Sequence, residues 1–205
     1  MKKMFLVGIA VLALAATPAF AQAKKSSAKS TRVRPDQSFV MNAARGGMAE
    51  VELGKLAADK ASSQQVKDFG QRMVDDHSKA NDELKTLAQN KNITLPTDLN
   101  AKDKALRTRL SKLSGAAFDR AYMQAMVSDH RMDANEFRQE SKMGKDADIK
   151  AFASKTLPIV EDHLKLAQTT DKAVVGTTGT RNRKGTTEKA PTSGKAPYPA
   201  SAPPK

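Results

Sequence analysis

Residues 66–87 read VKDFGQRMVDDHSKANDELKTL. Val66, Gly70, Met73, His77, Ala80, Leu84 and Leu87 recur there at alternating spacings of four and three. That rhythm puts them on one face of an α-helix, as the buried seam of a bundle. Just upstream, Ser62-Ser63-Gln64-Gln65 has the form of a capping box, with Ser62 as N-cap and Gln65 at the third helical position. The same rhythm recurs in Phe39, Ala43, Gly46, Glu50, Leu53 and Ala57. It recurs again in Met123, Val127, His130, Ala134 and Phe137, and in Ile149, Phe152, Thr156, Ile159, His163 and Leu166. Asp36 or Ser38 is placed to cap the first helix, and Asp146 the fourth. Ser114-Gly115 opens the third, and Gly144 is expected to close it as a left-handed C′ glycine. Pro158 removes one helical bond and predicts a kink before His163. Residues 102–113 form a short extra helix in the long connection between the second and third. The expected fold is all-α, a ferritin-like four-helix bundle of two hairpins spanning residues 36–171.

Outside that stretch the chain changes character. Lys2 and Lys3 precede an apolar run from Met4 to Ala16, followed by Thr17-Pro18 and Ala19-Phe20-Ala21. This is the pattern of a signal peptide over residues 1–21, cleaved between Ala21 and Gln22. The apolar run is too short to span a membrane, and no cysteine follows to carry a lipid. The expected location is the periplasm or beyond, with no membrane span in the mature chain. Residues 22–35 carry Lys24, Lys25, Lys29, Arg32 and Arg34 without one acid, and read as a disordered basic linker. Residues 172–205, rich in Pro, Thr and Gly, read as a second disordered basic tail.

The formal charge of +13 therefore belongs to the ends. Residues 36–171 hold 21 basic and 21 acidic residues. Charge alone suggests nucleic acid, but export separates the tails from chromosomal DNA. Anionic envelope polymers or lipids are the expected partners of the tails. The absence of cysteine excludes disulfide frameworks, thiolate metal sites and thiol catalysis.

Each seam carries one residue able to bind a metal: Glu50, His77, His130 and His163. Helical rise places all four near mid-bundle. Imidazole and carboxylate together suit one Zn, Fe or Mn ion. Asp76, Asp129 and Asp162 each precede a histidine, and are candidates to orient a neighbouring helix's imidazole. The alternative is a purely structural polar layer of hydrogen-bonded histidines. Three residues before each histidine stands a valine (Val74, Val127 or Val160). The Glu-x-x-His pairs of di-iron bundles are therefore missing. No catalytic constellation emerges, and the sequence leaves enzyme activity open. Two weak repeats suggest a duplicated hairpin. Residues 66–69 are similar to 149–152, and residues 73–77 to 126–130. Gly46-Gly47, inside a helical pattern, reads as close helix packing.

Several stretches together resemble one family. They are Phe39-Val40 with Ala43, residues 46–57 (GGMAEVELGKLA), Met73-Val74 with Asp76-His77, residues 114–122 (SGAAFDRAY), Asp129-His130, and Thr156-Leu157-Pro158 with His163. The chain is similar over about residues 35–171 to an exported bacterial family of unknown function with a ferritin-like four-helix fold. The resemblance implies fold and export and carries no reaction. Three functions follow as expectations: a bundle holding one divalent metal, a non-catalytic envelope scaffold, or a protein of oxidative or metal stress.

Overall fold

The computed structural model describes residues 35–179, with side chains described to residue 176. The signal peptide, the Ala21–Gln22 cleavage, the basic linker and most of the basic tail lie outside the described residues. Among the described residues there are five helices: α1 Pro35–Lys60, α2 Gln64–Asn90, α3 Ala101–Ser111, α4 Gly115–Met143 and α5 Ala147–Gly179. The tightest pairs are α1 with α2 and α4 with α5. α1 also packs on α4, and α2 on α5. The bundle order around the axis is thus α1, α2, α5, α4.

Two buried aspartates fix the helix directions. Asp119, in the first turns of α4, accepts bonds from Ser62 N (3.0 Å), Ser62 Oγ (2.5 Å) and Ser63 N (3.0 Å) at the α1–α2 turn. Asp36, at the start of α1, accepts from Lys145 N (3.1 Å) and Asp146 N (2.7 Å) at the α4–α5 turn. The start of each hairpin therefore ties down the turn of the other. α4 begins at the α1–α2 end, so it runs parallel to α2, and α3 carries the chain back along the bundle. This is the up-down-down-up crossover of ferritin-like bundles.

These contacts revise the expected caps. Ser62 does not cap α2. Its amide and hydroxyl donate to the Asp119 carboxylate instead, and the N-cap is Ser63, whose side chain makes no capping bond. Asp36 lies inside α1 and serves the opposite turn. Gly144 ends α4, but with φ −51° and ψ 145° rather than left-handed. Its amide donates to Glu140 O at 2.9 Å. Asp146 accepts from Asp148 N and Ile149 N at the start of α5, as expected. Beyond the end of α2 and its C-cap Lys91, Asn92 is left-handed with φ 53°. Ile93 N donates to Ala88 O and Asn92 N to Gln89 O, a Schellman closure.

α5 is longer than its sequence pattern suggested. It continues through Lys172 to Gly179, past the residue 171 boundary, because Val174 extends the seam and is buried. Within that seam Val160 is buried, while Ile159 is 40% exposed. The seam thus steps from Thr156 to Val160 to His163. Pro158 lies inside the unbroken helix. The constant 83-residue offset relating Asp36 to Asp119 also relates Val66 and Phe69 to Ile149 and Phe152. The reciprocal caps share this offset, so it is the structural repeat. The likeness of residues 73–77 to 126–130 joins diagonal helices and does not follow it.

Close approach of α1 and α2 depends on two glycines. A Cβ at Gly54 would lie 2.5 Å from Gly70 O, and one at Gly70 would lie 2.7 Å from the Ala57 Cβ. The apolar core falls into two clusters. One, toward the α1–α2 end, includes Leu53, Phe69, Met73, Tyr122 and Met126. The other, toward the α4–α5 end, includes Phe39, Leu84, Phe137, Phe152 and Val160. A polar layer separates them.

Candidate metal centre

That layer is where the three histidines meet. His77 comes from α2, His130 from α4 and His163 from α5. Each offers one nitrogen within 4.8 Å of those of the other two. Ring centroids are 5.3 to 5.8 Å apart. His130 and His163 have no exposed surface. His77 is partly buried, but its Nε2 is inaccessible to solvent. The rows of helical spacing explain the convergence. Each histidine continues a seam one turn beyond a buried residue, Met73, Met126 or Ile159's neighbour Val160.

One nitrogen of each ring lacks a hydrogen-bond partner: His77 Nε2, His130 Nε2 and His163 Nδ1. The opposite nitrogen is held in two of them. His130 Nδ1 lies 3.0 Å from Met126 O. A carbonyl only accepts, so Nδ1 carries the proton and Nε2 presents a lone pair. His163 Nε2 lies 2.9 Å from Asp76 Oδ2. That bond orients the ring and leaves Nδ1 as its unpartnered nitrogen. Asp76 also meets Arg72 Nε at 3.3 Å.

Burial keeps His77 and His130 short of protons. Burial pushes the His77 imidazole well below its ordinary range, and the nearby His130 and His163 push it further. Burial, with His163 beside it, lowers His130 to about 3. The bond to His163 is the main cause holding Asp76 down to about 2. Burial penalises a charged imidazole, so His77 and His130 are neutral at neutral pH, the form that binds metals.

The remaining candidates fall elsewhere. Glu50 is buried in the layer, with Oε1 3.7 Å from His130 Nδ1 and Oε2 unpartnered. It stands against the carbonyl-bound side of His130, not its free Nε2, and does not join the three converging nitrogens. Burial, followed by Asp133, Asp129 and Asp103, raises its carboxyl well above the usual range. Asp129 pairs with Lys102 Nζ at 3.1 Å, not with a histidine. Asp162 is exposed on the outer face of α5. Of the three aspartates expected to orient imidazoles, Asp76 does so.

Asp133 was not among the residues expected at the site. It lines a cavity of about 20 Å³ beside His77, with Gly46, Gly47, Asn81 and Thr156. Burial, then the Asp129 and Glu136 carboxylates, lifts Asp133 to about 7. The available signals were its place one turn past His130 and the 83-residue offset from Glu50. Tyr122 was not expected there either. Its ring is fully buried and its hydroxyl unpartnered.

Fold and site together define a ferritin-like helical bundle with a buried three-histidine layer. The chain belongs to the family described as Domain of unknown function (DUF4142), whose pattern matches residues 19–170. A crystal structure of a DUF305 fragment from Deinococcus radiodurans is similar in fold. Its TM-score is 0.59 at 9% identity, over 69% of this chain and 96% of that one. Among curated proteins, none matches the chain. Among the described residues, no helix is long and apolar enough to cross a membrane.

Proposed function

We propose that this protein is an exported metal-binding bundle, which holds one divalent transition ion on His77 Nε2, His130 Nε2 and His163 Nδ1. The observations that carry this reading are that the three histidines each bring one nitrogen within 4.8 Å of the others', and that each ring keeps one buried nitrogen without a hydrogen-bond partner. An isolated buried polar atom costs about 1–3 kcal/mol, and one ion would satisfy all three. At Zn–N bonds of about 2.1 Å, tetrahedral donors sit about 3.4 Å apart. A triangle no wider than 4.8 Å closes onto an ion through small ring movements. An all-imidazole donor set suits Zn or Fe better than Mn. Asp76 supports the site by orienting His163. Export is supported by the signal pattern of residues 1–21.

The test uses tag-free full-length protein. Metal analysis should find one equivalent of zinc or iron per chain, and chelation should lower the melting temperature. Metal well below one equivalent, with melting unchanged by chelator, would refute the reading. The basic residues of 22–35 and 172–205 favour a second, compatible reading. In it the tails tether the bundle to anionic envelope polymers. Deleting residues 22–34 and 180–205 should then abolish salt-sensitive envelope binding, and equal binding by the trimmed chain would refute it.

A further inference from the structure

A metal on three imidazoles has a fourth direction, and the two sides of the histidine layer differ. Toward the α1–α2 end the layer is sealed by Leu53, Phe69, Met73, Tyr122 and Met126, each at most 1% exposed. Toward the α4–α5 end lies the cavity of about 20 Å³. All four long helices wall it, and in each the lining residues lie on the α4–α5 side of the polar layer. Ala43, Gly46, Gly47 and Ala80 line it, so small residues leave the space that larger ones would fill. Gly47 leaves room for the Asn81 amide, since a Cβ there would lie 2.0 Å from Asn81 Oδ1 and push that side chain aside. His77, Asn81, Asp133 and Thr156 share its lining with the apolar Phe137, Phe152 and Val160. A space of this size holds about one water, given two to four polar partners.

We infer that this chamber is the exogenous-ligand pocket of the three-histidine centre, sized for a metal-bound water or hydroxide and for small anions of two or three atoms. The inference rests on the metal reading above and assigns its open coordination position. Asn81, Asp133 and Thr156 supply hydrogen bonds to the bound molecule. The apolar lining and the small volume exclude ring-sized ligands. The Gly46-Gly47 pair thus gains a role beyond close packing.

Cobalt(II) tests this, because its visible bands report coordination. Full-length protein is loaded with one equivalent of Co(II) and titrated with azide or with imidazole. Azide should shift the bands saturably, and imidazole should leave them unchanged at the same concentrations. Ala80→Leu fills the chamber. Gly46→Ala is a milder filling, since a Cβ there meets nothing within 4 Å. Both variants should retain one Co(II), and Ala80→Leu should lose the azide shift. If Ala80→Leu fails to fold, a weakened azide shift in Gly46→Ala carries the test. Equal shifts from azide and imidazole would overturn the inference, as would an azide shift untouched in both variants. A folded protein that takes up no Co(II) would overturn the metal reading itself, and this one with it.

Discussion

Replacing Asp119 by alanine removes the tie that joins the start of α4 to the α1–α2 turn. The carboxylate is 3% exposed and accepts three bonds, from Ser62 N, Ser62 Oγ and Ser63 N, at 2.5 to 3.0 Å. A hydrogen bond to a charged group contributes about 1.5–3 kcal/mol. The three share one carboxylate and do not add independently, so the expected loss is about 3–5 kcal/mol. At this chain length that lowers the melting temperature by about 6–20 °C. Ser62→Ala removes one of the bonds and should cost about 1 kcal/mol. Asp148→Ala is the control. Its partner is Lys91 at 2.6 Å, but Asp148 is 67% exposed, and such surface pairs contribute about 0–1 kcal/mol. Urea denaturation followed by circular dichroism measures all three. A loss below about 1 kcal/mol in Asp119→Ala would refute the reciprocal-cap account.

Three further outcomes follow from the same geometry. Asp76→Asn should weaken metal affinity about 10–100-fold, as read by competition with a chromophoric chelator. Unchanged affinity would remove Asp76 from the site. Gly70→Leu should destabilise by about 1–3 kcal/mol or more, because even a Cβ at Gly70 would meet Ala57 Cβ at 2.7 Å. A neutral result in denaturant melts would contradict the close α1–α2 crossing. The pH prediction concerns Asp133, raised from 3.8 to about 7 in the fold. A raised acid contributes stability that is full below its unfolded value and is lost as pH rises through the folded one. In metal-free protein, Asp133→Asn should therefore gain on wild type between about pH 4 and 7. A constant difference across that window would show that Asp133 is not held in its neutral form.

The seams of α1 and α2 were legible because their apolar residues and glycines fall on one helical face. Glycine caps and serine boxes were less so, since they are decided by distant partners. The Ser62 box yields to Asp119, 57 residues away. The α5 seam drifts because a 3.6-residue turn does not hold a strict alternation of four and three. Val160 replaces Ile159, and Val174 carries the helix past residue 171. For the site, helical rise gave the correct height of Glu50 but not its direction around the bundle. That direction sets it beside His130 Nδ1, away from the free nitrogens. Asp129 and Asp162 immediately precede histidines, and a step of one residue turns a helix by about 100°. Only Asp76 meets a ring from another helix. Asp133 has no local motif, and its importance appears only once four helices enclose the cavity beside His77.

X-ray absorption at the edge of the bound metal tests the central claim most directly. Zinc- or cobalt-loaded full-length protein should show about three imidazole nitrogens at about 2.0–2.1 Å, with the outer-shell scattering of the rings. A His77→Ala, His130→Ala, His163→Ala triple variant should lose both the signal and the metal. A first shell of oxygen alone, or one unchanged in the triple variant, would contradict a three-histidine centre.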